Sequence, residues 1–191
     1  HRDLHSFPTR RSSDLEFRLS GSGGQGLLLA GIVLAEAAIL EGKNAVQTQS
    51  YGPEARGGAS KAEVVISAED IDYPKAMDPD FLLALTAEAY RTYGKLMKKG
   101  LIIVDESVTL SEEITARTAR VPILKTAAKD IGKSVVANIV ALGVLAGISG
   151  IVEPKTLETA VKHRVPKGTE ELNVAALKKG FELAGGFAAK A

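Results

Sequence analysis

The chain has 191 residues, of which 45% are hydrophobic and 25% are charged, as is usual for a globular protein of one domain. It contains no cysteine, which excludes disulfides, zinc–thiolate sites and cysteine-ligated iron–sulfur clusters from this chain. The formal net charge is +1, which predicts no binding to nucleic acid, and no apolar run reaches the length of a membrane span.

The first fifteen residues, 1–15, read as a tail outside the fold. They show neither apolar periodicity nor the hydrophobic segment of a signal peptide, although Arg10, Arg11 and the serines also occur in transit peptides. The stretch SFPTRRSSDL, residues 6–15, resembles the conceptual translation of a common sequencing-adapter oligonucleotide. We therefore interpret 1–15 as a non-native or disordered tail and expect a single domain over 16–191.

The rest of the chain alternates short apolar segments with helical patterns. Strands are predicted at 16–20, 45–48, 61–67, 81–85, 101–104 and 121–124, and helices at 25–40, 87–99, 135–148, 156–162 and 173–183. This alternation predicts an α/β fold with an open, mainly parallel sheet and helices on both faces, which is Rossmann-like. The helix at 135–148 is apolar nearly all round, so it should be buried inside the domain or at an interface.

A glycine-rich turn joins the first strand to the first helix. Its six residues are the first group of candidate binding residues: Gly21, Ser22, Gly23, Gly24, Gln25 and Gly26. They satisfy the spacing G-x-G-x-x-G, in which glycine permits positive φ and close approach of a ligand to the backbone. The N-terminus of the following helix favours an anion, so a phosphate or a carboxylate would suit this turn.

A dinucleotide site of the usual kind also needs an acid about 20 residues further on, after the second strand. Here the second predicted strand is followed by Gln49 and Ser50, and neither is acidic. This absence weighs against NAD(P). The alternative without a ligand is a tight turn that only lets the helix pack closely on the sheet.

A second loop follows the second strand and is dense in glycine and polar residues. Its candidate binding residues are Tyr51, Glu54, Arg56, Gly57 and Gly58. Arginine is well suited to bidentate contact with a carboxylate or phosphate. Loops beyond the carboxyl ends of strands line the ligand crevice of open α/β sheets, so we expect both loops to face one crevice. The alternative is an Arg–Glu pair on the surface, which would contribute little.

The sequence offers no catalytic residues and no metal ligands in a recognisable arrangement. The only histidine outside the tail, His163, lies in a charged stretch and is expected to be solvated. Asp105 follows a predicted strand, where it could act as an acid or base, although capping of a helix N-terminus is the favoured interpretation.

The two glycine-rich segments together resemble the gamma subunits of 2-oxoacid:ferredoxin oxidoreductases. The likeness rests on Gly21-Ser-Gly-Gly-Gln-Gly26, on Tyr51-Gly-Pro-Glu-Ala-Arg-Gly-Gly58 with the strand after it, and on Asn138-Ile-Val-Ala-Leu-Gly143. It extends from about residue 16 to residue 187. The YGPEARGG form is most similar to the 2-oxoglutarate enzymes.

The resemblance implies a non-catalytic, cytoplasmic subunit of an enzyme that decarboxylates a 2-oxoacid, forms acyl-coenzyme A and reduces ferredoxin. Thiamine diphosphate, magnesium and iron–sulfur clusters would belong to alpha, beta and delta-type partners, and ferredoxin would be an indirect partner. The resemblance implies that the two loops contact either coenzyme A or a partner subunit, with Arg56 as the expected polar contact. Two other hypotheses stay open from the residues alone: an independent NAD(P)-binding oxidoreductase and a scaffold module without a ligand.

Overall fold

The computed structural model describes residues 13–50 and 59–188. Within these ranges the strands are β1 (Leu15–Ser22), β2 (Asn44–Ser50), β3 (Ala59–Ser67), β4 (Phe81–Ala84), β5 (Leu101–Asp105) and β6 (Arg117–Val121). The helices are α1 (Leu27–Leu40), α2 (Ala87–Gly94), α3 (Ile123–Lys125), α4 (Ala137–Ser149), α5 (Pro154–Arg164) and α6 (Glu170–Ala188). A π-helical segment, Thr126–Ile131, and a 3₁₀ turn, Ser134–Val136, connect α3 to α4.

All six of these strands form one sheet in the order β2-β3-β1-β4-β5-β6. The pairs β1–β4, β4–β5 and β5–β6 are parallel, and β3 is antiparallel to both β1 and β2. The predicted single-domain α/β fold with an open, mainly parallel sheet is confirmed. The parallel strands define two edges of the sheet: a carboxyl edge, where β1, β4, β5 and β6 end, and an amino edge, where they begin.

Helices cover both faces of the sheet, and alternation along the strands sends apolar side chains to each face. On the larger face, α1 and α4 pack over Phe17, Leu19 and Ile103. On the other face, α2 packs over Leu82 and Ile102. Helix α4 is buried inside the domain, as every residue from 137 to 146 is buried. The apolar helix predicted at 135–148 is therefore buried inside the domain rather than at an interface. No helix in the described ranges is long and apolar enough to cross a membrane.

Most boundaries differ from the sequence prediction by a few residues, and those of β1, β6 and α2 differ in ways that matter for the fold. Strand β1 begins at Leu15, which pairs with Ile66, one residue before the predicted start and inside the range assigned to the tail. Strand β6 is Arg117–Val121 rather than 121–124, because Pro122 cannot donate to a ladder and Ile123 begins a helix. Helix α2 ends at Gly94 rather than near Lys99.

The early end of α2 has a local cause. Glycine is a poor helix former, and after Gly94 the amides of Leu96 and Met97 bond carbonyls three residues back rather than four. The tighter turn buries Met97 against the smaller face of the sheet.

Candidate functional site

The glycine-rich turn lies at the carboxyl edge, where β1 passes into α1. Gly24 and Gly26 have φ of 83° and 72°, a conformation that only glycine adopts at low cost. Gly26 is the N-cap of α1, which has neither a side-chain cap nor an acidic residue in its first turn. The predicted strand–turn–helix context is therefore present, and its backbone N–H groups and helix dipole favour an anion.

Two side chains fix the shape of this turn. The backbone N–H of Ser22 donates to Oε1 of Gln25 at 2.8 Å. The Asn138 side chain, from the first turn of α4, donates through Nδ2 to the carbonyl oxygen of Gly26 at 3.0 Å. Asn138 is 6% exposed. Sequence reasoning placed Asn138 only within a family motif and assigned it no role, since the contact spans 112 residues.

Gly23 presents an open face to the surroundings. A Cβ atom added at Gly23 would meet no heavy atom within 4 Å, and its φ is not positive. By contrast, a Cβ at Gly26 would lie 2.6 Å from Nδ2 of Asn138. Gly26 is therefore required by the fold, whereas nothing in the described residues requires glycine at 23.

A cavity of about 350 Å³ adjoins this turn. Its lining combines the turn and the start of α1 with residues that flank the second loop: Gln49, Ser50, Ser60 and Lys61. The Ser60 hydroxyl donates to the carbonyl oxygen of Gly21 at 3.3 Å. Both stems of the second loop thus reach the glycine-rich turn, while Tyr51, Glu54, Arg56, Gly57 and Gly58 lie outside the described residues. That their side chains face the same crevice stays a prediction.

A buried ionic cluster lies on the smaller face of the sheet below this cavity. Glu63 pairs with Nη2 of Arg18 at 2.8 Å and with Nζ of Lys61 at 3.3 Å. The side chains of Arg18 and Glu63 are 9% and 4% exposed, and both cations lie over the ring of Tyr93. Among these three side chains the cations outnumber the carboxylate by one, and Lys61 also lines the cavity, where its ammonium group favours an anion.

Sequence reasoning missed this cluster. The available signal was the presence of charged residues at alternate positions of two strands: Glu16 and Arg18 in β1, Lys61 and Glu63 in β3. The cluster is built on Arg18 and Glu63. These two residues are direct partners in the β1–β3 register.

The other polar residues singled out from the sequence do not join this site. Asp105 is buried, and its carboxylate accepts from the N–H and hydroxyl of Ser107 and from the N–H of Leu124 in the first turn of α3. Asp105, at the end of β5, thus caps the N-terminus of α3. His163 is exposed and contacts Glu36. No group of His, Asp or Glu in ranges 13–50 and 59–188 has a geometry that could hold a metal ion.

Comparison with known proteins gives consistent matches over this domain. The pattern of the pyruvate ferredoxin/flavodoxin oxidoreductase family matches residues 16–183. The 2-oxoglutarate synthase subunit KorC of Methanocaldococcus jannaschii is 49% identical over 174 residues, covering 88% of this chain and 93% of that protein. The structure of a keto/oxoacid ferredoxin oxidoreductase gamma subunit from Geobacter sulfurreducens is 46% identical with a TM-score of 0.82, covering 91% of this chain and 97% of that one.

A more distant relative is longer than this domain. Ketoisovalerate oxidoreductase subunit VorA of Methanothermobacter thermautotrophicus is 36% identical over 90% of this chain, but the match covers only 36% of VorA. The same domain therefore occurs both as a separate subunit and within a longer chain. On the extent of the family match and the identity to its relatives, the chain belongs to the pyruvate ferredoxin/flavodoxin oxidoreductase family.

Proposed function

We propose that this chain is the gamma subunit of a 2-oxoglutarate:ferredoxin oxidoreductase. The 49% identity to the archaeal 2-oxoglutarate synthase subunit, over nearly the full length of both proteins, carries this assignment. The chain has no cysteine, so an iron–sulfur cluster with cysteine ligands must be held by another subunit. The NAD(P) alternative has no comparable support, because β2 ends at Gln49 and Ser50 without the acid that binds the ribose.

The partners follow from this assignment. Thiamine diphosphate, magnesium and the iron–sulfur clusters belong to alpha, beta and delta-type subunits of the same cytoplasmic complex. Ferredoxin receives electrons from those subunits and contacts this chain only indirectly. The present subunit contributes binding surface rather than catalytic groups.

The glycine-rich turn is proposed to receive a phosphate-bearing part of coenzyme A, whose thiol accepts the acyl group in the complete enzyme. Three observations support a fit. Gly23 leaves open space above the backbone, the N-terminus of α1 has no capping side chain, and the cluster below carries an excess positive charge. A cavity of about 350 Å³ suits a phosphate group with its immediate neighbours rather than the whole cofactor. Arg56 remains the predicted polar contact from the second loop.

The test is the substitution Gly23→Val in the assembled oxidoreductase. Because a Cβ atom at 23 meets no heavy atom within 4 Å among residues 13–50 and 59–188, the thermal unfolding of the variant should be unchanged. If a phosphate group approaches the backbone here, the KM for coenzyme A should rise about tenfold, equivalent to about 1.4 kcal/mol. The KM for 2-oxoglutarate should stay the same.

Gly185→Val is the matched control. Gly185 lies in α6, and an added Cβ there also meets no heavy atom within 4 Å. Gly185→Val should therefore lower neither the thermal stability of the chain nor its affinity for coenzyme A, as measured by KM. A normal coenzyme A KM in Gly23→Val would reject the phosphate site and favour a purely structural turn. Failure of the chain to assemble with any thiamine-binding partner would reject the gamma-subunit assignment itself.

A further inference from the structure

A second cavity, larger than the first, lies at the amino edge of the sheet. We call it the amino-edge cavity; its volume is about 520 Å³. Apolar side chains from the starts of three strands and from two helices dominate its wall, together with one arginine: Leu15, Phe81, Leu101, Arg117, Ile148 and Phe187. It lies across the sheet from the glycine-rich turn, so it is separate from the proposed coenzyme A site.

The position of this cavity argues against a small-molecule site. In open α/β sheets, ligands bind beyond the carboxyl ends of the parallel strands, where loops and helix N-termini supply polar groups. The amino-edge cavity is formed at the opposite ends of those strands. An exposed apolar depression at such a position is typical of contact with another protein surface.

Arg117 gives the amino-edge cavity a charge preference. The residue is exposed, and its guanidinium lies 5.7 Å from the centroid of the Phe187 ring. It forms no ion pair with any residue in ranges 13–50 and 59–188. Asp80, the acidic residue at this cavity, accepts from the backbone N–H of Glu16. A partner that combines an apolar side chain with a carboxylate would therefore complement this surface.

Both ends of the described domain meet at the same place. Leu15 is the first residue of β1, Phe187 lies in the last turn of α6, and both line the amino-edge cavity. In VorA the matched region is about one third of a longer chain. The rest of such a chain must continue from one or both ends of the matched region, and here Leu15 and Phe187, near the ends of the described domain, both lie beside the cavity.

We infer that the amino-edge cavity is the docking surface for the separate subunit that corresponds to the rest of the longer chains. One apolar side chain of that subunit enters the cavity, and a neighbouring carboxylate pairs with Arg117. The inference rests on the proposed function, since it requires this chain to be a subunit of the same kind of oxidoreductase. In VorA the contact at this cavity lies within one chain, whereas here it lies between this chain and the separate subunit.

The first test is Arg117→Glu, measured as the Kd for that partner subunit by calorimetry and by co-purification after co-expression. Arg117 is exposed and has no ion-pair partner among the described residues, so reversal of its charge should leave folding intact. The new carboxylate opposes that of the partner, so the Kd should rise at least about tenfold. Arg120→Glu is the matched control, because Arg120 is exposed on the same strand but donates to the carbonyl oxygen of Glu106. Its Kd should stay within about twofold of wild type.

A second measurement uses the unaltered chain. Amide hydrogen exchange at residues 183–188, the end of α6, should slow when the partner subunit binds. Normal affinity in Arg117→Glu, or unchanged exchange at 183–188 in the complex, would overturn the proposed surface while leaving the subunit assignment intact. A wild-type chain that binds no such subunit would instead overturn the proposed function.

Discussion

Gly26 is the residue on which the shape of the glycine-rich turn depends most. Its φ of 72° is left-handed, and the side chain of Asn138 approaches it so closely that no Cβ can fit. Gly23, three residues earlier, satisfies the same sequence spacing but meets neither constraint. Of the three glycines in the pattern, Gly26 is therefore fixed by the fold, whereas Gly23 is free to be selected by a ligand.

Gly26→Ala should lower the free energy of unfolding by about 2 kcal/mol, since the left-handed conformation alone costs about 1–2 kcal/mol with a side chain. Displacement of Asn138 would add to this cost. Urea denaturation of the isolated chain measures the effect, with Gly23→Ala expected within about 0.5 kcal/mol of wild type. Equal stability of the two variants would contradict the constraint described for Gly26.

At the scale of elements, helices α4 and α6 pack with their backbones in close contact. A Cβ added at Gly143 would lie 2.9 Å from the Cα of Gly180, and one added at Gly180 would lie 2.7 Å from the Cα of Gly143. The two glycines therefore mark the point where the helices cross. This contact holds α4 against the sheet and, through Asn138, holds the glycine-rich turn.

Gly143→Ala should destabilise the protein by about 2–3 kcal/mol, because the added methyl group is forced against backbone atoms that cannot rotate away. Gly185→Ala, in open space on α6, should instead stabilise it by up to about 1 kcal/mol through helix propensity. Thermal unfolding distinguishes the two, with a lower midpoint for Gly143→Ala and a higher one for Gly185→Ala. If Gly143→Ala proves no less stable than Gly185→Ala, the helices do not cross as closely as described.

Helices α1 and α5 are joined by a surface ionic contact that depends on pH. The carboxylate of Glu36 lies 3.0 Å from Nδ1 of His163 and also accepts from Nε of Arg164. Burial acts to raise the pKa of Glu36, but hydrogen bonds from Arg164 and His163 outweigh it and hold this pKa below its ordinary value of 4.5. Because the pKa is lower in the folded state, the contact stabilises the fold above that value and is lost as pH falls through the lowered pKa.

Glu36→Gln should therefore reduce the free energy of unfolding near neutral pH by less than about 1 kcal/mol, since both partners are half exposed. The difference between variant and wild type should be smaller at an acidic pH well below 4.5 than at neutral pH, because the carboxylate is protonated as pH falls through its lowered pKa. Urea titrations at the two pH values measure it. If the free energies of unfolding of Glu36→Gln and wild type differ by the same amount at both pH values, the charge of the Glu36 carboxylate does not contribute to stability.

The elements that sequence could predict are those with a strong local pattern. Helix α4 and strand β5 were found because long apolar runs are buried wherever they fold. Strand β6 was misplaced because its residues alternate between exposed and buried at the edge of the sheet, while the more apolar Ile123 and Leu124 beyond it form a helix. Strand β3 lies between β2 and β1 and is antiparallel to both. This arrangement depends on pairs of residues that are far apart in the sequence, such as Arg18 and Glu63, and a short stretch of sequence does not show such pairs.

For the candidate site, spacing alone predicted a glycine-rich connection between a strand and a helix. It did not predict that Gly21 and Ser22 belong to β1 or that the positive φ angles fall at Gly24 and Gly26. Asn138 and the cluster around Glu63 were not predicted as parts of it, because they reach the site only through the packing of α4 and the register of β3. Their positions follow from tertiary structure rather than from any local spacing.

At the scale of the whole molecule, the two edges of the sheet carry different features. The carboxyl edge has the glycine-rich turn, an uncapped helix N-terminus and a nearby excess of positive charge. The amino edge has an apolar cavity with one arginine, Arg117, which forms no ion pair within the part of the chain that the structure describes. Under the proposed function, cofactor binding and subunit docking are thus separated by the full length of the strands. Variants such as Gly23→Val and Arg117→Glu should therefore act independently of each other.

The position of Leu15 and Phe187, near the two ends of the described domain, beside the amino-edge cavity also bears on how genes for such enzymes can change. A fusion that joins this domain to its neighbour, or a split that separates them, alters only the connection at an edge remote from the glycine-rich turn. The docked arrangement and the turn can both survive such an event unchanged. This accounts for a domain that exists as a separate subunit in some relatives and as one third of a longer polypeptide in others.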